Sequence, residues 1–377
     1  MLAPSSAGAG RMPATSIPLR PLAALALSLA CTTVAAQAPS ATDLARLDGF
    51  VLGLETAGRF SGVVLVAHDG KVVFEKAYGP RDENGGAPLR VDDRLNLASA
   101  GKMFTSVAIL QQVAAGRLTL DSRVGEVLPD YPNRAFADTV TVRQLLTHTA
   151  GAGDVDELFG ATHAAERARL RTPADIIALH GNRPPEFAPG TQQKYGNYGY
   201  VVLGRMVEVL SGQDFESYIR THVLAPAAMS RTGFVDCDDP APDLAVGYAE
   251  VEGKRVRNCA TLPVRGFAAG GQVAPAGDLL RFVQALVDGR LLPQPLFRQA
   301  TTPQREFMGL GFFATGYGEG VPERDFRWGH GGSADGICTD VRTYPHTGET
   351  VIVLSNRDAP ACYAAANLLH AQWKQAR

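Results

Sequence analysis

The sequence predicts an α+β protein in which one antiparallel sheet, flanked by helices, is built from both ends of the chain and a mainly helical lobe is inserted between them. Near the N-terminus, two short apolar runs flank His68-Asp69-Gly70, and Asp-Gly is a strong hairpin turn signal. Strand patterns return near the C-terminus, after a middle stretch of short helical patterns broken by Pro and Gly. Because a lone hairpin is unstable in water, we expect the two ends to pair in one sheet.

Hydrophobic periodicity places the elements of the first half in order. Apolar residues three and four apart predict a helix over 42–58, and strands over 62–67 and 71–78 follow it. A longer helix is predicted over 99–115. The middle of the chain is predicted to form helices over 141–148, 162–180, 198–210 and 215–222, and a small hairpin over 246–258.

The C-terminal part of the chain returns to the sheet. A helix is predicted over 275–287, and a final helix over 361–374 closes the chain. The strand patterns between these helices are 310–314, 326–328, 336–344 and 350–355. The predicted domain therefore spans 42–377, with a sheet lobe over about 42–95 and 262–377 and a helical lobe over about 96–261.

Composition excludes several classes of function. The 377 residues include 36 Lys and Arg against 38 Asp and Glu, a formal net charge of −2. No polybasic run occurs, so nucleic-acid binding has no electrostatic basis. Cys and His pairs at metal-ligand spacing are missing from the sequence, so we expect no metal and no other cofactor. The sequence carries no signal for an oligomeric state.

The N-terminus has the features of a signal peptide over residues 1–38. Its only charges are Arg11 and Arg20, an apolar run follows over 21–30, and Ala36-Gln37-Ala38 has small residues at the cleavage positions. The run is too short to span a membrane as a helix. We therefore expect a periplasmic or secreted mature chain without a transmembrane segment.

Two alternatives at this end of the chain stay open. Met12 is an alternative start to Met1, because the residues before it add little to the signal. Cys31 follows Ser28-Leu29-Ala30 and is a candidate for lipid anchoring. The residue at position 28 argues against the anchor, since an aliphatic side chain is expected there.

Four cysteines remain after the signal peptide. An even number in an oxidising compartment favours disulfides. Proximity along the chain favours Cys237–Cys259 and Cys338–Cys362 over the other two connectivities. Four free buried thiols are the alternative.

A serine and a lysine lie three residues apart at the start of the predicted 99–115 helix, in Ser99-Ala100-Gly101-Lys102. Residues at this spacing share one helix face, so the Lys102 amine can lie beside the Ser99 hydroxyl and accept its proton. Serine is a weak nucleophile until an adjacent base activates it. The alternative is a helix-capping serine followed by a solvated lysine, and two further motifs argue against it.

The two further motifs supply a phenol, an amide and a glycine-rich strand segment. Tyr195-Gly196-Asn197 offers a phenol that can relay a proton and an amide that can hold both the lysine and a substrate carbonyl. His330-Gly331-Gly332-Ser333 precedes a predicted strand. Its glycines allow close approach of a substrate, and its histidine supplies a donor, or a positive charge at lower pH.

Three other features with residues of these types are interpreted as structural rather than catalytic. Tyr131-Pro132-Asn133 lies in a proline-flanked turn, and His346-Thr347-Gly348 lies between two strand patterns as a hairpin turn. His148 is interpreted as a buried histidine that ends the 141–148 helix, rather than as a catalytic partner.

The three motifs, in this order, resemble the serine β-lactamase-like superfamily. Within it, the chain is similar to the branch that holds class C β-lactamases, D-alanyl-D-alanine carboxypeptidases and related esterases. The resemblance runs from about residue 44 to the C-terminus. Two further stretches are similar to family sequence, namely 145–151 and Ala269-Gly270-Gly271 followed by 278–282.

The resemblance implies roles for the motif residues. Ser99 is acylated, Lys102 acts as general base together with Tyr195, and Tyr195 protonates the leaving group. Asn197 orients Lys102 and the substrate. The backbone N–H groups of Ser99 and Ser333 form the oxyanion hole.

The third motif departs from the family pattern. His330, Gly331 and Gly332 are expected to contact substrate, but His330 replaces a common lysine and Gly331 replaces a threonine. Both changes weaken the case for a substrate with a free carboxylate. The expected substrate is therefore a small-molecule or peptide-like ester, amide or other acyl compound.

Three other functions are weighed against this one. A β-lactamase or a D-alanyl-D-alanine carboxypeptidase is the first alternative, and a catalytically idle peptidoglycan-binding module of the same fold is the second. An α/β-hydrolase lipase is excluded, because that fold requires a Gly-x-Ser-x-Gly turn and the sequence contains none.

Overall fold

The structure, a computed structural model, describes residues 39–159, 164–316, 318 and 320–375. The predicted signal peptide over 1–38, with the alternative start Met12 and the candidate anchor Cys31, lies outside these residues. Within the described ranges, no helix combines the length and the apolar character that crossing a membrane requires.

One antiparallel sheet joins the two ends of the described chain. The strands are β1 (Gly62–His68), β2 (Lys71–Tyr78), β3 (Leu95–Asn96), β4 (Tyr248–Val251), β5 (Lys254–Arg257), β6 (Val273–Ala274), β7 (Phe313–Thr315), β8 (Arg327–Ala334), β9 (Ile337–Tyr344) and β10 (Glu349–Ser355). The main sheet has the order β2-β1-β10-β9-β8-β7, so the N-terminal hairpin pairs with the C-terminal strand β10. The predicted fold class is confirmed.

The β1–β2 turn forms where Asp-Gly predicts it. Asp69 has φ 47° and Gly70 has φ 74°, and two successive residues in the left-handed region match the twist of a tight hairpin. Side chains along β1 then alternate between the two faces of the sheet.

Helices cover both faces of this sheet. They are α1 (Ala41–Thr56), α2 (Lys102–Ala114), α3 (Val124–Val127), α4 (Arg134–Ala137), α5 (Val142–Leu146), α6 (Ala164–Arg167), α7 (Pro173–His180), α8 (Tyr198–Ser211), α9 (Phe215–Ile219), α10 (Ala276–Val287), α11 (Gln294–Ala300) and α12 (Ala361–Gln375). On one face, Val64 and Val66 of β1 belong to a core with α1 and α12. On the other face, Val63 and Leu65 belong to the larger core that contains α2, α8 and α10.

Helix α2 is buried on nearly every side, which fixes the start of the helix where Lys102 lies. Phe104 of α2 meets Phe282 of α10 edge to face, with ring centroids 5.0 Å apart. Both side chains are fully buried, and burying one such side chain contributes about 1.5–3 kcal/mol.

Both favoured disulfides are present. Cys237 is bonded to Cys259, and Cys338 is bonded to Cys362. The second bond ties the first turn of α12 to β9. The first joins the segment before β4 to the residues that follow β5.

Two predicted elements differ from the structure. The helix predicted over 162–180 is two helices, α6 and α7, because Thr172 caps α7 and Pro173 occupies its first turn, so the chain begins a new helix there. The motif His330-Gly331-Gly332-Ser333 lies within β8 rather than before a strand, because β9 pairs with it residue by residue. The predicted lobe boundaries stay a prediction.

Candidate active site

Ser99 lies in a strained turn between β3 and α2. A 3₁₀ turn over Ala98–Gly101 leads into α2, and Ala98 has φ 42°. A left-handed conformation at alanine costs about 1–2 kcal/mol. The turn is held by the Asn96 side chain, whose Oδ1 accepts the Ala98 N–H at 2.8 Å, and by the Gly271 N–H, which donates to the Ala98 carbonyl at 3.0 Å.

The Lys102 amine is surrounded by three oxygen atoms. Its Nζ lies 3.0 Å from Ser99 Oγ, 2.5 Å from Asn197 Oδ1 and 2.9 Å from the Ala269 carbonyl oxygen. The Asn197 and Ala269 oxygens can only accept, so each takes one amine proton. When the amine is neutral, its remaining position is a lone pair that faces the Ser99 hydroxyl.

Burial favours the neutral form of the Lys102 amine at ordinary pH. The side chain has no exposed surface. Desolvation lowers the pKa of Lys102 to about 7, against the opposing charges of Asp154 and Asp156. An amine with this pKa and this geometry can accept the proton of Ser99 and return it later.

Tyr195 lies on the other side of the amine. Its ring centroid is 4.9 Å from Lys102 Nζ, and its side chain remains 39% exposed. Burial of the hydroxyl end raises the pKa of Tyr195 well above its usual range, although a hydrogen bond with the Ser99 side chain lowers it. The phenol is therefore protonated and can donate.

His148 holds the segment that carries Tyr195. Its ring packs on the Tyr195 ring with centroids 4.2 Å apart, and its Nδ1 accepts the Gly196 N–H at 3.4 Å. Its carbonyl oxygen accepts the Lys194 N–H at 2.9 Å. Desolvation lowers the pKa of His148 well below its usual value, so the ring is neutral. His148 has φ 57°, directly after the end of α5.

His330 is a neutral, buried group. Its ring stacks on Phe313 with centroids 4.1 Å apart, and its Nδ1–H donates to the Gly331 carbonyl at 2.5 Å. Desolvation, followed by the charge of Lys102, lowers the pKa of His330 to about 3. Near neutral pH this leaves His330 with the donor role of the two that the sequence suggests and without a positive charge, because Phe313 and the strand bury the ring.

The glycines of β8 bring the strand against the Ser99 turn. A Cβ at position 332 would lie 2.5 Å from the Leu97 carbonyl oxygen and 2.8 Å from Ser99 N, so only glycine fits there. This close approach places the Ser333 backbone beside Ser99. A Cβ at Gly331 would instead meet the Tyr363 ring and hydroxyl at 3.1 Å.

A cavity of about 430 Å³ opens beside Ser99 and Asn197. Its apolar lining includes Val235, Leu244, Leu262, Phe267, Val273 and Ile337. Arg265 is the only basic residue among the described residues that line it, and it is already paired with Glu216 at 2.7 Å and Asp236 at 3.5 Å. The cavity therefore offers apolar surface mixed with polar groups, among them Asp156 and Asp335, and no uncommitted positive charge among the described residues.

The two alternative motif copies lie elsewhere. The Tyr131 hydroxyl is bonded to the Tyr198 hydroxyl at 2.7 Å, and Asn133 caps α4. His346 lies in the turn between β9 and β10.

The sequence did not reveal several groups in this site. Two of them, Asp154 and Asp156, accept hydrogen bonds from Asn197. The others are the Ala269 carbonyl beside Lys102, Phe313 against His330, and Tyr363 near Gly331. The quoted stretch Ala269-Gly270-Gly271 was the one signal near them, because Gly270 has φ 133° and packs on the Ala98 backbone.

Comparisons with known proteins identify the family of this chain. A family model described as Beta-lactamase matches residues 44–372. Esterase EstB of Burkholderia gladioli is 29% identical over 310 residues, 73% of this chain and 78% of EstB. The Bacillus subtilis protein PbpX is 30% identical over 255 residues, which cover 67% of this chain and 62% of PbpX.

A solved structure shares the whole fold. The penicillin-binding protein from Bacillus halodurans superposes with a TM-score of 0.76 at 29% identity, covering 85% of this chain and 98% of that chain. The superposition on this structure and the family match over residues 44–372 lead to one conclusion. The chain belongs to the beta-lactamase family of serine hydrolases.

Proposed function

We propose that this protein is an exported hydrolase that forms an acyl-enzyme on Ser99 and acts on esters or amides whose acyl group is apolar. The observation that carries the proposal is the Lys102–Ser99 contact, in which Nζ lies 3.0 Å from Oγ and the Lys102 pKa is about 7. A general base works best with a pKa near the working pH.

The reaction has two balanced halves. Lys102 takes the Ser99 proton while Oγ attacks the substrate carbonyl carbon, and the backbone N–H groups of Ser99 and Ser333 hold the oxyanion. The bond to the leaving group then breaks as Tyr195 donates its proton, which Lys102 replaces. Water attacks the acyl-enzyme in the second half, gives its proton to the same base, and Ser99 leaves as the free hydroxyl.

The base in this scheme is Lys102 rather than Tyr195. Burial lowers the pKa of Lys102 to about 7 but raises the pKa of Tyr195. A neutral amine is therefore common near neutral pH, whereas a phenolate is rare. Tyr195 is suited to the other task, donation to the leaving group.

The position of Tyr195 also orients the substrate. The leaving group must lie within reach of the Tyr195 hydroxyl, and neither Tyr195 nor His330 lines the 430 Å³ cavity. The acyl group therefore extends from Ser99 into that cavity. The apolar part of this lining favours an aliphatic or aromatic acyl group, and its acidic residues disfavour a negatively charged one.

The charges around the site argue against a substrate with a free carboxylate. His330 is neutral, Gly331 has no hydroxyl, and Arg265 is neutralised by two acidic partners. Burying an unpaired carboxylate costs several kcal/mol. This favours esters and amides over carboxylate-bearing substrates such as penicillins.

The alternative is a β-lactamase or D-alanyl-D-alanine carboxypeptidase proper. The similarity to a penicillin-binding protein favours it, while EstB favours an esterase. A catalytically idle binding module is a third possibility, against which the preserved Ser99–Lys102 contact argues.

Export rests on the sequence features of residues 1–38 and is supported by two disulfides, which persist in oxidising compartments. The mass of the mature protein recovered from the periplasm or medium tests this part. Cleavage near Ala38 supports export, and retention of residues 1–38 in the cytoplasm contradicts it.

Substrate class is tested by turnover of matched compounds. We expect hydrolysis of p-nitrophenyl butyrate and hexanoate, slow or no reaction with a penicillin, and loss of all turnover in Ser99→Ala. A penicillin adduct that persists on the protein would indicate a carboxypeptidase, and one that clears quickly would indicate a β-lactamase.

A further inference from the structure

Two carboxylates accept hydrogen bonds from the side-chain amide nitrogen of Asn197. Asn197 Nδ2 donates to Asp154 Oδ1 at 3.0 Å and to Asp156 Oδ1 at 2.8 Å. The backbone N–H of Asn197 also donates to Asp154 Oδ1 at 3.3 Å. Both hydrogens of the amide nitrogen are therefore accepted by acidic side chains.

These bonds fix which end of the amide faces Lys102. A flipped Asn197 side chain would turn its oxygen toward two carboxylates and its NH₂ group toward the amine, losing its three side-chain hydrogen bonds and adding repulsion. With Asp154 and Asp156 in place, Oδ1 must point at Lys102 Nζ, where it lies at 2.5 Å.

The same two residues supply the negative charge nearest the amine. The other titratable groups around Lys102 are neutral: burial raises the pKa values of Tyr195 and Tyr200 and lowers those of His148 and His330. Among the described residues, Asp154 and Asp156 are therefore the groups whose charge partly offsets the desolvation of Lys102.

The two carboxyl groups also interact with each other. Burial, followed by the charge of Asp154, raises the pKa of Asp156. The negative charge on Asp156 therefore depends on pH.

We propose that Asp154 and Asp156 are positioning residues that act on Ser99 through Asn197 and Lys102. They lock the Asn197 oxygen onto the lysine amine, and their charge keeps that amine able to hold a proton as well as to give one up. A base that must take the Ser99 proton and then return it to the leaving group needs both forms near working pH. This inference rests on the proposed role of Lys102 as general base.

The test separates charge from orientation. Asp154→Asn, Asp156→Asn and the double variant remove charge but keep an oxygen that can accept from Asn197. Loss of nearby negative charge favours the neutral amine, so the acid limb of the pH profile moves to lower pH, by about one unit in the double variant and less in each single variant. Asp154→Ala removes the acceptor and is expected to lower the labelling rate constant at every pH.

The readout is the second-order rate constant for labelling of Ser99 by a fluorophosphonate between pH 4 and 9, followed by intact mass. Asp69→Asn is the matched control, because Asp69 is 75% exposed in the β1–β2 turn and its replacement removes the same charge far from Lys102 along the chain. Thermal unfolding identifies the variants that fold. If the double variant does not fold, the two single variants provide the test.

Three results have different meanings. A wild-type enzyme that labels with an acid limb, together with Asn variants that keep the same limb, would overturn this inference and leave the proposed function standing. A wild-type enzyme that does not label at all would overturn the proposed function. A limb that moves down in the Asn variants but not in Asp69→Asn supports the inference.

Discussion

The backbone nitrogen of Ser99 lies only 2.8 Å from the point where a Cβ would stand at Gly332. Strand β8 and the Ser99 turn are therefore in direct backbone contact, and Ser333, the next residue of β8, is the proposed second donor of the oxyanion hole. The site depends on a residue without a side chain as much as on its ionisable groups.

Replacing Gly332 with Ala is expected to reduce kcat by about 10²–10³-fold, the loss measured when an oxyanion-hole donor is displaced. The added methyl group must push β8 away from the Ser99 turn. Steady-state hydrolysis of p-nitrophenyl butyrate checks this. Gly49→Ala is the control, because a Cβ there meets nothing within 4 Å. Unchanged kcat in Gly332→Ala would show that the contact is not needed.

The acid limb of acylation is expected near pH 7. Only neutral Lys102 accepts the Ser99 proton, and its pKa is about 7. The rate constant should therefore rise about tenfold per pH unit below 7 and level off above it. Pre-steady-state acylation by a p-nitrophenyl ester, measured from pH 5 to 9, reports this limb. A flat profile across this range would contradict the assignment.

His330 is expected to make no contribution to this limb. Its pKa is about 3, so it stays neutral throughout the measured range. In His330→Gln, the rate is expected to fall through lost packing on Phe313, while the midpoint of the limb stays where it is in the wild type. A midpoint shift in this variant, measured with the same ester, would show that His330 is charged within this pH range and would contradict the prediction.

Filling the cavity is expected to select against long acyl groups. Leu262 is buried in the cavity wall, and Leu262→Trp leaves less room for the acyl chain. We expect kcat/KM for a p-nitrophenyl octanoate to fall at least about tenfold relative to the acetate, since burial of each methylene contributes about 0.8 kcal/mol. Leu179→Trp, at a position 54% exposed on α7, is the control. An equal loss on both esters would place the acyl group elsewhere.

Removing the Cys338–Cys362 disulfide is expected to lower the free energy of unfolding by about 3 kcal/mol. The bond closes a loop with a sequence separation of 24 and ties α12 to β9. Urea unfolding of the Cys338→Ala/Cys362→Ala double variant measures the change. An unfolding free energy equal to that of the wild type would contradict this contribution.

The fold was predictable because its signals are local. Asp69-Gly70 marks the first hairpin, and alternating apolar residues mark the strands that pair with it. The Ser99–Lys102 pair was predictable for the same reason, since three residues separate the two groups on one helical turn. Pro173 was a visible break within 162–180, and the apolar periodicity on both sides obscured it.

The rest of the site depends on contacts between distant segments. Asp154 and Asp156 are more than forty residues from Asn197 along the chain, and Ala269 is 167 residues from Lys102. No periodicity records such contacts. The neutrality of His330 also follows from packing on Phe313, which sequence spacing does not show.

The central claim is that Ser99 is a nucleophile activated by Lys102. Intact mass of the wild type, Ser99→Ala and Lys102→Met after exposure to a fluorophosphonate tests it most directly. The account predicts one phosphonyl adduct on the wild type, located on the Ser99 peptide, no adduct on Ser99→Ala, and labelling slowed at least about 10²-fold in Lys102→Met. An unlabelled wild type, or an equal adduct on Ser99→Ala, would contradict it.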